Sequence, residues 1–183
     1  MKKITTKRLI LRKPSLNDLN DLFEYAKNPE VGPSAGWLPH QTIEYSKEIL
    51  NNFIRSEDVW AIELKAEKKM IGTISLYTRD FEDAILGIVE LGYTIGRNYW
   101  NMGYASESVS AMIEFAFKKL KINKIVCGHT IDNERSKKII LKNNFKFTHL
   151  DDTRIFSVDS IKEVLMYELD NPYKKEHKKW KQI

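Results

Sequence analysis

The residue types best arranged for chemistry lie between Glu90 and Glu107, in the run ELGYTIGRNYWNMGYASE. A strand-like stretch passes through a short loop, with Gly103 near its end, into the most regular helical pattern of the chain. The first turn of a helix leaves backbone N–H groups unpaired and carries the positive end of the helix dipole, so such a junction attracts anions. Gly103 lets a phosphate approach the backbone, Ala105 keeps the next contact small, and Ser106 offers a hydroxyl donor. The chemistry this points to is retention of a pyrophosphate. The structural alternative is a tight strand-to-helix turn that merely needs a glycine. Neither G-x-x-x-x-G-K-[ST] nor G-x-G-x-x-G occurs, so no P-loop and no dinucleotide fingerprint is present.

A second polar cluster, Asp132-Asn133-Glu134-Arg135-Ser136, opens another helical stretch that closes on Asn144-Phe145. Asn is the next best residue after glycine for a left-handed helix end, so Asn144 suits that stop. Two histidines are reserve acid–base candidates: His129 on a strand pattern, where core packing competes with catalysis, and His40 in a loop. Cys127 is the only cysteine. It excludes an internal disulfide and a cysteine-built metal site, and no metal is expected; a reducing cytoplasm fits best.

The elements that must position these residues can be read from periodicity. Arg8 to Lys13 alternates as a strand, and Ser15 with Asp18 opens a helix to about Ala26. Asn28 to His40, with Pro29, Gly32, Pro33, Gly36 and Pro39 around Trp37, reads as an irregular loop. A helix follows from Thr42 to Arg55. Strands are expected over Val59–Lys65, Met70–Thr78 and Ile85–Ile95, with Arg79 to Asp83 a polar loop. From Ala105 the apolar residues Val109, Met112, Ile113, Ala116, Phe117 and Leu120 recur at helical spacing, and Lys118, Lys119 and Lys121 suit the C-terminal end of the dipole. A strand (Lys124–Thr130), a helix (Asn133–Lys142) and two strands (Phe145–Phe156, Ile161–Asp170) complete the pattern. This order describes an α+β fold, a sheet flanked by helices, and not regular doubly wound alternation.

At 183 residues with 42% hydrophobic content the chain suits one domain, here 1–171, followed by a basic tail over 172–183. The N-terminus has no apolar stretch long enough for a signal peptide, and no segment is long and apolar enough to span a membrane. A net charge of +5 favours anionic partners. An RNA-binding protein would suit that charge, but no nucleic-acid signature or paired exposed aromatics accompany it.

The run Tyr99-Trp100-Asn101-Met102-Gly103-Tyr104-Ala105-Ser106-Glu107 resembles the acetyl-CoA pyrophosphate loop of GNAT enzymes, [Q/R]-x-x-G-x-[G/A] before a helix. Trp100 stands where Gln or Arg is usual, and Asn101 where many relatives carry another glycine. Asn133 to Ser136 and Asn144-Phe145 are similar to the family's N-x-x-[S/A] start and closing G-F. Thr6-Lys7-Arg8-Leu9-Ile10-Leu11-Arg12 and Glu90-Leu91-Gly92-Tyr93 further resemble the branch containing ribosomal-protein N-terminal alanine/serine acetyltransferases. Likeness runs from about Thr6 to Leu169.

The resemblance implies a mixed, mostly antiparallel sheet and direct transfer of an acetyl group from acetyl-CoA to a primary amine, on a protein N-terminus or a small molecule. It implies Glu90 as general base and a backbone N–H around Tyr93, Thr94 and Ile95 as oxyanion donor. Ile140 occupies the position of the family's usual tyrosine acid, which leaves Ser136 as the proton source for the thiolate. Trp100, Asn101, Met102, Gly103, Tyr104, Ala105 and Ser106 are expected to hold the cofactor phosphates and Asn133 a pantetheine amide. Trp37 and His40 border the expected acceptor pocket. A non-catalytic acyl-CoA-binding or ribosome-associated module is the alternative, and a homodimer is compatible with the family.

Overall fold

The computed structural model describes residues 1–155 and 160–174. Its strands follow the alternation of apolar residues. Leu9 and Leu11 are fully buried while Ile10 and Arg12 are half-buried, giving β2 (Leu9–Arg12), which pairs with a two-residue β1 (Ile4–Thr5). β3 (Val59–Leu64), β4 (Lys69–Tyr77) and β5 (Ile88–Ile95) continue as an antiparallel meander. β6 (Lys124–Thr130) then pairs parallel to β5, and the antiparallel pair β7 (Lys146–Ile155) and β8 (Ser160–Asp170) closes the sheet in the order β1-β2-β3-β4-β5-β6-β8-β7. The fold is α+β with a mixed, mostly antiparallel sheet, as the sequence predicts.

Helices cover both faces. In β3, Trp60 and Ile62 join the larger core beneath α4 (Tyr104–Phe115), whose Val109 and Met112 are buried there. Between them Ala61 points the other way, into a cluster with Leu22, Tyr25 and Leu50 from α1 (Leu19–Ala26) and α2 (Ile43–Ser56). A period of two along the strand thus serves two helical layers. The helix expected from Ser15 begins as a 3₁₀ turn (Leu16–Asp18), where the Ser15 N–H donates to Asp18 Oδ2 at 2.7 Å. α2 is capped by the Thr42 hydroxyl, and the Asn28–His40 loop holds only a short 3₁₀ turn at Pro33–Ala35.

Two expectations need correction. The strand expected from Ile85 begins at Ile88, because Phe81–Leu86 forms a short helix, α3. Asp80 Oδ1 caps it by accepting the Asp83 N–H at 2.9 Å, and Gly87 ends it at φ +67°. Phe81 and Ile85 are largely exposed, so no buried apolar stripe betrays the helix in the sequence. The long helix starts at Tyr104, not Ala105, and finishes in a π-helical turn over Ala116–Leu120 with Lys121 left-handed. α5 (Glu134–Lys142) ends with Asn144 at φ +64°, the left-handed stop that Asn favours. From residue 175 the basic tail lies outside the described residues, as does Phe156 at the expected end of β7.

Candidate active site

The site is a fork in the sheet. β5 pairs with β6 only at Ile88, Val89 and Glu90, facing Lys124, Ile125 and Val126. On its other edge it stays paired with β4 through Ile95. Beyond Glu90 the β6-facing edge of β5 is therefore open, and a cleft of about 1340 Å³ occupies the gap. An open strand edge offers N–H and C=O groups to an amide-bearing ligand. Of the expected site residues, Glu90, Tyr93, Thr94, Ile95, Trp100, Asn101, Gly103, Tyr104, Ala105, Ser106, Asn133 and Ser136 line this cleft. Met102, Trp37 and His40 are not among its lining residues.

At one end the loop into α4 turns through two left-handed residues, Asn101 at φ +62° and Gly103 at φ +79°. Asn tolerates that backbone better than most residues, so its stand-in for glycine is physically mild. The N-terminal segment braces the loop. Glu107, in the first turn of α4, accepts from Thr6 Oγ1 (2.6 Å), the Arg8 N–H (2.8 Å) and Arg8 Nε (2.7 Å). Burial works against the Glu107 carboxylate, but these bonds outweigh it and hold its pKa below the ordinary value. Arg8 Nη1 donates to the Met102 carbonyl at 2.9 Å, and the guanidinium lies 4.4 Å from the Tyr104 ring. Sequence reasoning missed this brace; its partners stand about a hundred positions apart and carry no local signal.

Across the fork, Tyr93 reaches α5. Its hydroxyl is hydrogen-bonded to Ser136 Oγ at 2.6 Å. Burial raises the Tyr93 pKa well above its ordinary value, which keeps the phenol protonated. The expected tyrosine position, Ile140, is buried in the core. A phenol thus reaches the serine from β5 in place of one from α5. Asn133 caps α5, accepting the Ser136 N–H at 3.1 Å and donating to the Ser34 carbonyl at 3.3 Å. Trp100 Nε1 donates to Ile95 O at 2.7 Å, and the Arg135 guanidinium lies 3.9 Å from the Trp100 ring centroid.

At the other end Glu90 pairs with Arg79 through Nε, and Arg79 is also near Met166 Sδ (3.7 Å). Glu90 is 17% exposed in its side chain and Arg79 39%, so the arginine is the more solvent-exposed partner. Arg79 and Asp151 on β7 also line the cleft, and neither was singled out from the sequence. His129 is buried, with Nδ1 at 2.8 Å from Thr130 O and Nε2 at 3.1 Å from the Tyr167 hydroxyl. His40 is buried between Trp37 and Tyr45, hydrogen-bonded to Ser46 Oγ at 2.7 Å, and burial lowers its pKa. The loop contributes Ser34, Ala35 and Gly36 to the cleft wall instead. Burial, aided by the Glu90 charge, pushes the Cys127 thiol up to about 12, so it stays protonated and is no nucleophile near neutral pH.

A forked sheet beside a helix start whose free N–H groups could take a phosphate is the arrangement an acyl-CoA-dependent transferase would need. A profile of the acetyltransferase (GNAT) domain matches residues 8–146, and the chain belongs to that family. It is an acetyl-CoA-dependent acetyltransferase. A Bacillus licheniformis protein described as uncharacterized N-acetyltransferase p20 is 31% identical over 80% of this chain and 83% of its own. Two solved structures share the fold at low identity. Spermidine N-acetyltransferase from Vibrio cholerae, with CoA and spermine, has TM-score 0.76 at 17% identity, covering 91% of this chain and 97% of that one. Ribosomal-protein-S5-alanine acetyltransferase from Vibrio fischeri has TM-score 0.75 at 18% identity, covering 96% and 100%. The fold accommodates both a spermidine N-acetyltransferase and a ribosomal-protein-S5-alanine acetyltransferase, so it does not select the acceptor. Among the described residues no helix is long and apolar enough to cross a membrane, and no acid, histidine or cysteine cluster could hold a metal.

Proposed function

We propose that the chain acetylates a primary amine by direct attack within a ternary complex, with Glu90 as general base and Ser136 as proton source. The observation that carries this is the fork itself, which brings Glu90 at its vertex and the Tyr93–Ser136 pair to one cleft. Bound acetyl-CoA supplies the activated acyl group. The α4 start holds its pyrophosphate, and the open edge of β5 takes its amides. Glu90 accepts a proton from the acceptor ammonium, whose pKa of about 8 to 10.4 leaves it mostly charged at neutral pH. The ammonium competes with Arg79 for the carboxylate, and the exposed arginine yields. A backbone N–H near Tyr93 to Ile95 stabilises developing oxyanion charge. Ser136, backed by the neutral Tyr93 phenol, delivers a proton to the departing sulfur. The inert Cys127 thiol supports direct transfer over an acyl-cysteine route.

The acceptor class is a protein N-terminus or a small amine, and the single cysteine supports a cytoplasmic setting. The test is a panel of N-terminal peptides, polyamines and small amines with acetyl-CoA, followed by free-thiol release. Amine-dependent thiol release supports the reading. Tight acetyl-CoA binding without release on any member of the panel would favour the non-catalytic module.

A further inference from the structure

Arg135, Lys138 and Lys142 stand at i, i+3 and i+7 on α5, one face of the helix, and all three line the cleft opposite the loop that opens α4. Among the described residues none of the three forms an ion pair. Some helix cations do have acidic partners, Lys118 with Glu114 at 2.7 Å and, on α5 itself, Lys137 with Glu134 at 3.1 Å. Like charges three and four residues apart destabilise a helix, and a cation in the first turn also opposes the dipole. Arg135 carries both penalties, yet it is held in place by its contact with Trp100, whose indole is itself fixed on Ile95 O. An arrangement that costs stability in the free chain is relieved by an anion in the cleft.

We propose that this face of α5 binds the 3′-phosphate of the acyl donor and so selects coenzyme A over the same thioester lacking that phosphate. The inference rests on the acyl-CoA reading of the cleft. There the α4 start neutralises the pyrophosphate, and the remaining charge on the donor is a phosphomonoester near the opposite wall. The loop carries Trp100 where the related motif has a cation or an amide, and that ring instead holds the Arg135 guanidinium at the α5 wall. A guanidinium held on a ring presents its N–H edge to phosphate oxygens, while Lys138 and Lys142 add point charges.

Calorimetric titration of the full chain with CoA and with 3′-dephospho-CoA tests this without any turnover. The wild-type protein should bind CoA about ten- to a hundredfold more tightly, the range of one or two charge-assisted contacts, and the ratio should fall with added salt. Lys138→Gln with Lys142→Gln should bring the ratio toward one while leaving dephospho-CoA affinity unchanged. Arg135→Gln should do the same in part. Equal wild-type affinity for the two ligands overturns the inference and leaves the donor site standing. A variant that weakens both ligands equally also overturns it. If neither ligand binds, the acyl-CoA reading falls and takes this inference with it.

Discussion

On the proposed reading, backbone makes the donor end of the cleft, whereas side chains on loops and strand ends make the acceptor end. The α4 start, the left-handed Asn101 and Gly103 and the open edge of β5 would act through peptide groups, and the Arg8–Glu107 brace holds the loop into α4. On the same reading the acceptor end is lined by Arg79 just past β4, Asp151 on β7 and the Ser34–Gly36 loop. A donor common to the whole family can be served by fixed backbone. Acceptors that differ between enzymes require replaceable side chains, which is how one fold hosts unrelated amines.

If the two ends are separate, the largest effect comes from removing the base without touching the donor end. Glu90→Gln should bind acetyl-CoA normally and lose about 10²–10⁴-fold in kcat, as general-base removal does. The defect should shrink as pH approaches the acceptor's own pKa, where solvent supplies free amine. Calorimetry with CoA and a pH–rate profile read both halves. A variant that lost CoA affinity as well would break the comparison, and one with full rate across neutral pH would move the base elsewhere.

The converse change belongs to the donor end. Gly103 at φ +79° lies where a β-branched residue is strained by about 1–3 kcal/mol, and a side chain there also meets Arg8 Nη2 at 3.4 Å from its Cβ. Gly103→Val should weaken CoA binding by about tenfold or more and leave the acceptor KM unchanged. Normal CoA affinity in a folded variant would mean that the pyrophosphate lies elsewhere.

What the sequence disclosed divides along the same line. The α4 junction, β6 and the Asn144 stop were legible because local periodicity and a few special residues determine them. The fold class followed from element order. The Arg8–Glu107 brace and the Tyr93–Ser136 contact were not legible, since each joins distant segments, nor was the Arg79–Glu90 pair, which depends on the β4–β5 register and on where β5 begins after α3. α3 hid because its apolar residues face outward, and β1 because two residues make no pattern.

The brace gives a smaller effect that sharpens the account of the donor end. Arg8→Ala removes the bonds from Nη1 to Met102 O and from Nε to Glu107, leaving Glu107 with Thr6 and a backbone donor. The arginine side chain is 40% exposed, so solvent screening reduces its worth to about 1 kcal/mol, or about fivefold in the KM for acetyl-CoA with kcat nearly unchanged. Arg8→Lys should rescue only part, because an ammonium lacks the planar fork that serves two acceptors at once. Steady-state kinetics at saturating acceptor would show the split. A fall in kcat with no change in KM would place the brace in catalysis and not in donor binding.

The smallest effect concerns whether Trp37 and His40 touch the acceptor, as the sequence suggested, or anchor the loop behind it. The His40 imidazole is surrounded by Trp37, Tyr45 and Ser46, and burial holds its pKa below the ordinary value of about 6.5. The unfolded chain therefore takes up this proton first as pH falls, so stability present above about pH 6.5 is lost as pH drops toward the folded pKa. The loss is bounded at about 1.4 kcal/mol per unit of pKa separation. Asp18 does not confuse the measurement. Burial opposes its carboxylate, but bonds from Arg12 and Ser15 outweigh that and depress its pKa, so its contribution is lost only at still lower pH. Urea midpoints of the wild type and His40→Gln, compared at about pH 7.5 and about pH 5.5, isolate the histidine. The wild-type advantage should narrow on acidification if His40 is a buried anchor. An advantage that stayed constant, with His40→Gln raising the acceptor KM, would return the residue to the acceptor site and extend that end of the cleft into the loop.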